Sequence, residues 1–220
     1  MTRECCSVNS TDRNLLNMGL LIPLWLFVGV WLTSLGYPGY SHVDQAMSQL
    51  GAAGAPTHPY SAWVNNFPLG ILFVLFALGL ARRFRESPMA LISAALIALH
   101  GLASFTTGIF SCDEGCAPPQ PSTAQQIHNL AGLVMFLSLT TASALWVLLG
   151  KRLLCSAMFG WFSLLCLFLA LATVGLMAKA FGDGHGFGLY QRLNYGISVV
   201  WVAALAWSVR FVEPVVPSAR

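Results

Sequence analysis

The run Met89–Phe110, MALISAALIALHGLASFTTGIF, follows the basic stretch Arg82-Arg83-Phe84-Arg85-Glu86-Ser87-Pro88, and its reading decides the class of the protein. It contains no Asp, Glu, Lys or Arg. About 20 residues of helix cross the roughly 30 Å of hydrocarbon in a bilayer, so the run has the length of a transmembrane helix. Its apolar residues do not alternate with polar ones, as the strands of a membrane barrel require. Reading outward on both sides, five more runs of this kind lie between the charge clusters. They are Leu15–Leu35, Phe67–Ala81, Ile127–Leu149, Leu154–Ala178 and Leu189–Val209, with the uncharged Trp63, Val64 and Asn65 able to lengthen the second. The prediction is an all-α bundle of six transmembrane helices over 15–35, 64–81, 89–110, 127–149, 154–178 and 189–209. It forms one membrane domain that uses the whole 220-residue chain.

Composition agrees. The chain is 56% hydrophobic and 9% charged, against roughly 25% charged in a soluble domain. A net charge of +3 provides no basic field for nucleic acid. The positions of the bases set an orientation, because cytoplasmic loops retain Lys and Arg. With the N-terminus inside, nine of the eleven bases fall on the cytoplasmic side, and only Lys179 and Arg192 fall outside. Both termini are therefore expected in the cytoplasm, and the expected location is the cell inner (plasma) membrane. The run 15–35 is too long for a signal-peptide core and no small-residue cleavage site follows it closely, so it reads as an uncleaved span.

The outer segments hold the unusual polar residues. In Ser41–Pro59 the positions Val43, Met47 and Leu50 recur at helical spacing, which predicts a short interfacial helix. It would carry His42, Asp44 and Ser48 and be capped by Gly51. It serves either as a solvated connector or as one wall of a site. Cys112 and Cys116, four apart on the oxidising side, suggest a tight disulfide. Cys5, Cys6, Cys155 and Cys166 are expected as free thiols. A zinc site would need further ligands from Asp113, Glu114 or a distant histidine, so no metal is assigned.

Asp113 and His128 flank one outer loop and return to one level, where they can meet. An aspartate orienting an imidazole is the arrangement of a general base, and the plainer reading is a hydrogen bond closing the hairpin. His100 lies in the middle of its span, on a stripe with Ser93, Ser104, Thr107 and Ser111 that should face the bundle. Packing accounts for the stripe. A bis-histidine haem is disfavoured because His128 lies about 15 Å farther out. Arg192, expected at the start of the last span, needs an anion, either Asp44, Asp113 or Asp183 or else a lipid phosphate. The glycine-alternating segment Gly182–Gly188 leads into it.

Five short motifs in order give a resemblance to the bacterial and archaeal membrane proteins grouped as domain of unknown function 998. They are Ser48-x-Leu50-Gly51-Ala52, Asn66 before Gly70, Gly108-Ile109-Phe110 with Asp113 and Gly115, His128-Asn129-Leu130-Ala131, and Gly188-Leu189-Tyr190-Gln191-Arg192. The plan is also architecturally similar to the six-span DRAM and Frag families, which are linked to lipid handling. The first family implies the topology and no reaction.

Two function classes follow. In the first, Asp44, Asn66, His100 and Arg192 help to recognise a membrane lipid or a membrane partner, including a second copy of the chain. In the second, a membrane-embedded hydrolase or transferase acts on a lipid, with His128 as base, Asp113 orienting it and Ser48 as nucleophile. A small transporter is a weaker third. Neither principal class implies a cofactor.

Overall fold

The computed structural model describes residues 10–211. Every regular element in it is helical: α1 (Ser10–Leu35), α2 (His58–Val64), α3 (Asn66–Arg83), α4 (Pro88–Ile109), α5 (Thr123–Leu153), α6 (Ala157–Asp183) and α7 (Phe187–Val209), with 3-10 turns at Met47–Gly51 and Glu114–Cys116. By length and composition, five segments can cross a membrane: Ser10–Leu35, His58–Arg83, Pro88–Ile109, Thr123–Leu153 and Ala157–Asp183. The 23-residue α7 is less apolar, because its first turns carry Gln191, Arg192 and Asn194.

Helix ends follow local chemistry. The hydroxyls of Ser87, Ser122 and Ser156 accept from Ala90, Gln125 and Phe159 backbone N–H groups and so cap α4, α5 and α6. The Ser122 cap starts α5 four residues before the predicted Ile127. Proline explains the break between α2 and α3. Pro68 has no N–H to give the carbonyl of Val64, four residues earlier, and the indole Nε1–H of Trp25 donates to it instead at 2.9 Å. The predicted interfacial helix shrinks to the 3-10 turn Met47–Gly51. Val43 and Asp44 lie before it, in turns, and the cap position passes from Gly51 to Ala52. The glycine segment is shorter than its composition suggested, because α6 runs to Asp183. Gly184 and Gly186, both at positive φ (70° and 84°), turn the chain directly into α7.

The long helices form a closed ring. Each packs on its neighbour in the order α1, α3, α4, α5, α6, α7, and α7 returns to α1. Glycines set the closest approaches. A Cβ on Gly70 would lie 2.9 Å from the carbonyl of Gly101, and one on Gly160 would lie 2.6 Å from that of Val147. Among the described residues, one end of the ring carries the short turns 84–87 and 154–156, and the other carries the long segments 36–57 and 110–122. We call these the turn end and the loop end.

The two halves pack differently. Toward the turn end, Phe73, Phe76, Leu80, Ile97, Trp146, Leu149, Trp201 and Leu205 are fully buried in one continuous core. Its two tryptophans are satisfied, Trp146 Nε1 donating to Ser93 Oγ at 2.8 Å and Trp201 Nε1 to Ser163 Oγ at 3.0 Å. Toward the loop end, the ring encloses a cavity.

Candidate functional site

The cavity measures about 940 Å³ and takes its walls from α1, α3, α4, α5, α6 and α7, with loop residues at its mouth. This lies near the upper end of the roughly 300–1,000 Å³ typical of small-molecule sites. Its floor is a polar knot in an apolar setting. His100, 1% exposed, stands with Nδ1 3.0 Å from the Met135 carbonyl and Nε2 3.0 Å from the Tyr195 hydroxyl. A carbonyl can only accept, so Nδ1 carries the proton and Nε2 accepts from Tyr195. This joins α4, α5 and α7. With Ser93, Ser104 and Thr107, His100 forms a buried face of α4, while Ser111 lies beyond the helix end.

Asn66 and Ser104 tie α3 to α4 along one wall. Asn66 Nδ2 donates to Thr107 Oγ1 at 2.9 Å, and Ser104 Oγ donates to the Asn66 carbonyl at 2.8 Å. Higher up are two further histidines, each anchored in the same way. His128 Nδ1 lies 2.8 Å from the Phe110 carbonyl and His58 Nδ1 lies 2.8 Å from the Gly51 carbonyl. In each ring the carbonyl draws the proton to Nδ1 and leaves Nε2 as the acceptor. Both residues line the cavity, as do Ser48, Gln49 and Asn129.

Asp113 does not orient His128. Its carboxylate accepts from the Ser122 hydroxyl at 2.6 Å and the Ser122 backbone N–H at 2.9 Å, which fastens the second loop to the start of α5. These two bonds, the hydroxyl first, hold the Asp113 carboxyl below the usual carboxylate range. Among the described residues no hydrogen bond or ion pair joins Asp113 to His128, whose Nδ1 is engaged by a backbone carbonyl.

The expected carboxylate partner of Arg192 is likewise replaced. Its Nη1 donates to the carbonyls of Gln45 and Gly188, both at 2.9 Å, and its Nη2 donates to the Tyr40 hydroxyl at 2.6 Å. The guanidinium also lies over the Tyr40 ring, 5.6 Å from its centre. Tyr40 passes the bond on to the Ala46 carbonyl at 2.9 Å. Burial raises the Tyr40 phenol above its ordinary value, and the neighbouring Arg192 charge opposes that shift.

Asp44 turns instead to the α6–α7 junction. It accepts from the Gly186 backbone N–H and the Ser41 hydroxyl, both at 2.9 Å, and pairs with His185 at 2.6 Å. The Gly186 bond, then the Ser41 bond, lower its pKa. Two backbone bonds continue the seam, from Leu189 N–H to the Val43 carbonyl at 2.8 Å and from Gly188 N–H to the Asp44 carbonyl at 3.3 Å. The first loop is thus sewn across the cavity mouth onto α7.

Cys112 and Cys116 are disulfide-bonded, while Cys155 and Cys166 are free; Cys5 and Cys6 lie outside the described residues. The bonded loop touches the first one through Ala53 N–H to the Cys112 carbonyl (2.8 Å) and Gln49 Nε2 to the Gly115 carbonyl (2.8 Å). Among the described residues, no three His, Cys, Asp or Glu side chains converge as a metal-ligand set.

Sequence reasoning missed His58, Tyr195 and Tyr40. Tyr195 was within reach, since Gln191, Arg192, Asn194, Tyr195 and Ser198 follow helical spacing on α7. Tyr40 lies in an irregular segment and His58 opens the seven-residue α2, so spacing says little about the neighbours of either. Comparisons with curated proteins and with solved structures give no significant match. The family model described as Protein of unknown function (DUF998) matches residues 20–208, and the chain belongs to that family.

Proposed function

We propose that this protein is a six-span membrane protein that holds the hydrocarbon part of a membrane lipid in its loop-end cavity, with the lipid's polar end at the mouth. One observation carries the reading: a cavity of about 940 Å³ between otherwise apolar helices, at the end where the polar side chains collect. Larger side chains here would add packing contacts, and the small and polar ones that line the space leave room for a ligand of lipid size instead. His58, His128 and Asn129 offer acceptors and a donor to a head group, and Asn66 and the His100–Tyr195 pair lie deeper. Arg82, Arg83, Arg85, Lys151, Arg152 and Arg210 gather at the turn end, so the positive-inside rule makes that end cytoplasmic. The site then faces outward from the inner membrane.

One observation favours a second reading, catalysis on the bound lipid. His128 presents a free Nε2 inside the cavity in the tautomer a general base uses. With Asp113 committed to Ser122, that base lacks the carboxylate that would stabilise its protonated form, and binding is the simpler conclusion.

Native mass spectrometry of the detergent-purified protein with a panel of phospholipids and lysophospholipids tests the proposal. A one-to-one complex is expected for the wild type and a weakened one in Met135→Trp, which puts a bulkier side chain at the cavity floor. Equal adducts in both would defeat the reading. Turnover of the bound lipid that disappears in His128→Ala would move the assignment to the enzyme.

A further inference from the structure

The hairpin of α5 and α6 is closed at one end and parted at the other. At the turn end the two backbones touch: a Cβ on Gly150 would lie 2.8 Å from the amide nitrogen of Gly160, and one on Gly160 would lie 2.6 Å from the Val147 carbonyl. Helical geometry allows each face to be followed outward. Gly132 precedes Gly150 by five turns of about 3.6 residues, so it lies on the same side of α5. There nothing stands within 4 Å of a Cβ, and Gly132 lines the cavity.

The matching line on α6 gives the same answer. Ala178, five turns beyond Gly160, is exposed, and Gly175 beside it has open space around it. Val174 and Phe181, which flank this line, are 38% and 64% exposed and also line the cavity. The faces that pack α5 on α6 at the turn end therefore border an opening at the loop end. That opening lies within segments apolar enough to cross a membrane. At such a level the neighbouring molecules are the acyl chains of the surrounding lipids.

We propose that the gap between the loop-end halves of α5 and α6, bordered by Gly132 on one side and Val174 and Phe181 on the other, is a lateral portal through which a bilayer phospholipid inserts an acyl chain into the cavity. The inference rests on the lipid-binding reading above and adds the route and the source of the ligand. The first loop, sewn to α7 through Asp44, Arg192 and the Val43–Leu189 bond, covers the mouth on the aqueous side. Among the described residues no such cover lies over the side between α5 and α6, and no acyl chain needs to leave the membrane to pass there.

The test uses the full chain in dioleoylphosphatidylcholine vesicles containing a phospholipid with a diazirine at the end of one acyl chain. Irradiation and peptide mapping are expected to place the label at the cavity floor, on Met135, Leu139 or Ser198. Gly132→Trp and Val174→Trp, which obstruct the gap from opposite sides, should lose most of this floor label. They should keep the label left by a short-chain, water-soluble diazirine amphiphile added from outside. Leu176→Trp, exposed on the far side of α6 and outside the cavity lining, should label like the wild type and shows that a tryptophan on α6 is tolerated. Floor labelling by the phospholipid that is equal in the wild type and both obstructed variants overturns the portal and leaves lipid binding standing. Labelling of the wild-type floor by the soluble amphiphile alone has the same meaning. A floor that neither probe labels in the wild type overturns the lipid-binding reading and the portal together.

Discussion

α5 serves two regions of opposite character. In its turn-end half, Trp146 and Leu149 lie in a core without access to solvent; in its loop-end half, His128, Gly132 and Phe136 border a cavity. The contrast holds around the ring. Phe73, Phe76, Trp201 and Leu205 fill one half, and small or polar residues such as Ser104, Thr107, Asn194 and Ser198 face the other. Lipid surrounds both halves, so hydrophobicity alone does not set them apart. Large side chains interlock where the helices must hold together, and small polar ones leave room where something is to be held. At the loop end α3 and α4 stay in close contact through Gly108 and Asn66, while Gly132 on α5 and Gly175 on α6 have open space beside them.

This division is open to a direct test by truncating one large residue in each half. Trp146→Ala removes a fully buried indole and strands the Ser93 hydroxyl it satisfied, and should cost about 3–5 kcal/mol of stability. Phe136→Ala only enlarges an existing space, and should cost about 1 kcal/mol or less while weakening ligand retention. Unfolding in detergent followed by circular dichroism measures the first effect, and lipid adducts measure the second. Equal costs at the two positions would mean that the halves do not differ as packing units.

Much of the closed half was legible in the sequence, since runs bounded by charges define helices, and His100 in mid-span demanded an inward face. The limits of the helices were less legible where capping overrode hydropathy. Ser122-Thr123-Ala124-Gln125 has the pattern of a capping box and carries α5 back to Thr123, although a reading by apolar content begins it at Ile127. The loop end was harder to read, because its partners are fixed by the path of irregular chain. Pairing opposite charges is a sound first rule and led to a carboxylate for Arg192. The fold surrounds this guanidinium with carbonyls and a phenol, and gives Asp44 to backbone and His185. A half-buried loop has many unsatisfied carbonyls, and a five-donor fork can serve several at once. Periodicity carries no signal for such a bond.

The Arg192 fork sharpens the comparison at the next level of effect. Lysine preserves the charge but not the planar fork, so Arg192→Lys should lose the simultaneous contacts to Gln45, Gly188 and Tyr40, at a cost of about 1–3 kcal/mol. The damage should stay in the loop-end half. Hydrogen exchange is expected to speed up across Tyr40–Gly51 and the first turn of α7, and to stay as in the wild type at Trp146 and Trp201. A uniform loss of protection would show that the cover and the closed core unfold as one unit.

The smallest effect concerns acid. Asp113 has its carboxyl depressed by two bonds from Ser122, so its contribution is complete above the ordinary aspartate value of about 3.9 and is lost as pH falls through the lower folded-state value. Protonation removes an acceptor charge from the start of α5 and loosens the hold on the disulfide loop. Between pH 6 and pH 3, protection factors for residues 112–126 should fall a few-fold in the wild type and stay level in Asp113→Asn, which lacks the titrating group. Asp44 is depressed as well, but its bonds run to Ser41 and Gly186, so its acid loss should appear near residues 41–51 and 184–189. If the wild type and Asp113→Asn lost protection equally over residues 112–126, the loop would owe its acid sensitivity to some other group. The Asp113–Ser122 bond would then be only a local cap, and the disulfide and the Gln49–Gly115 contact would be what holds the second loop over the cavity.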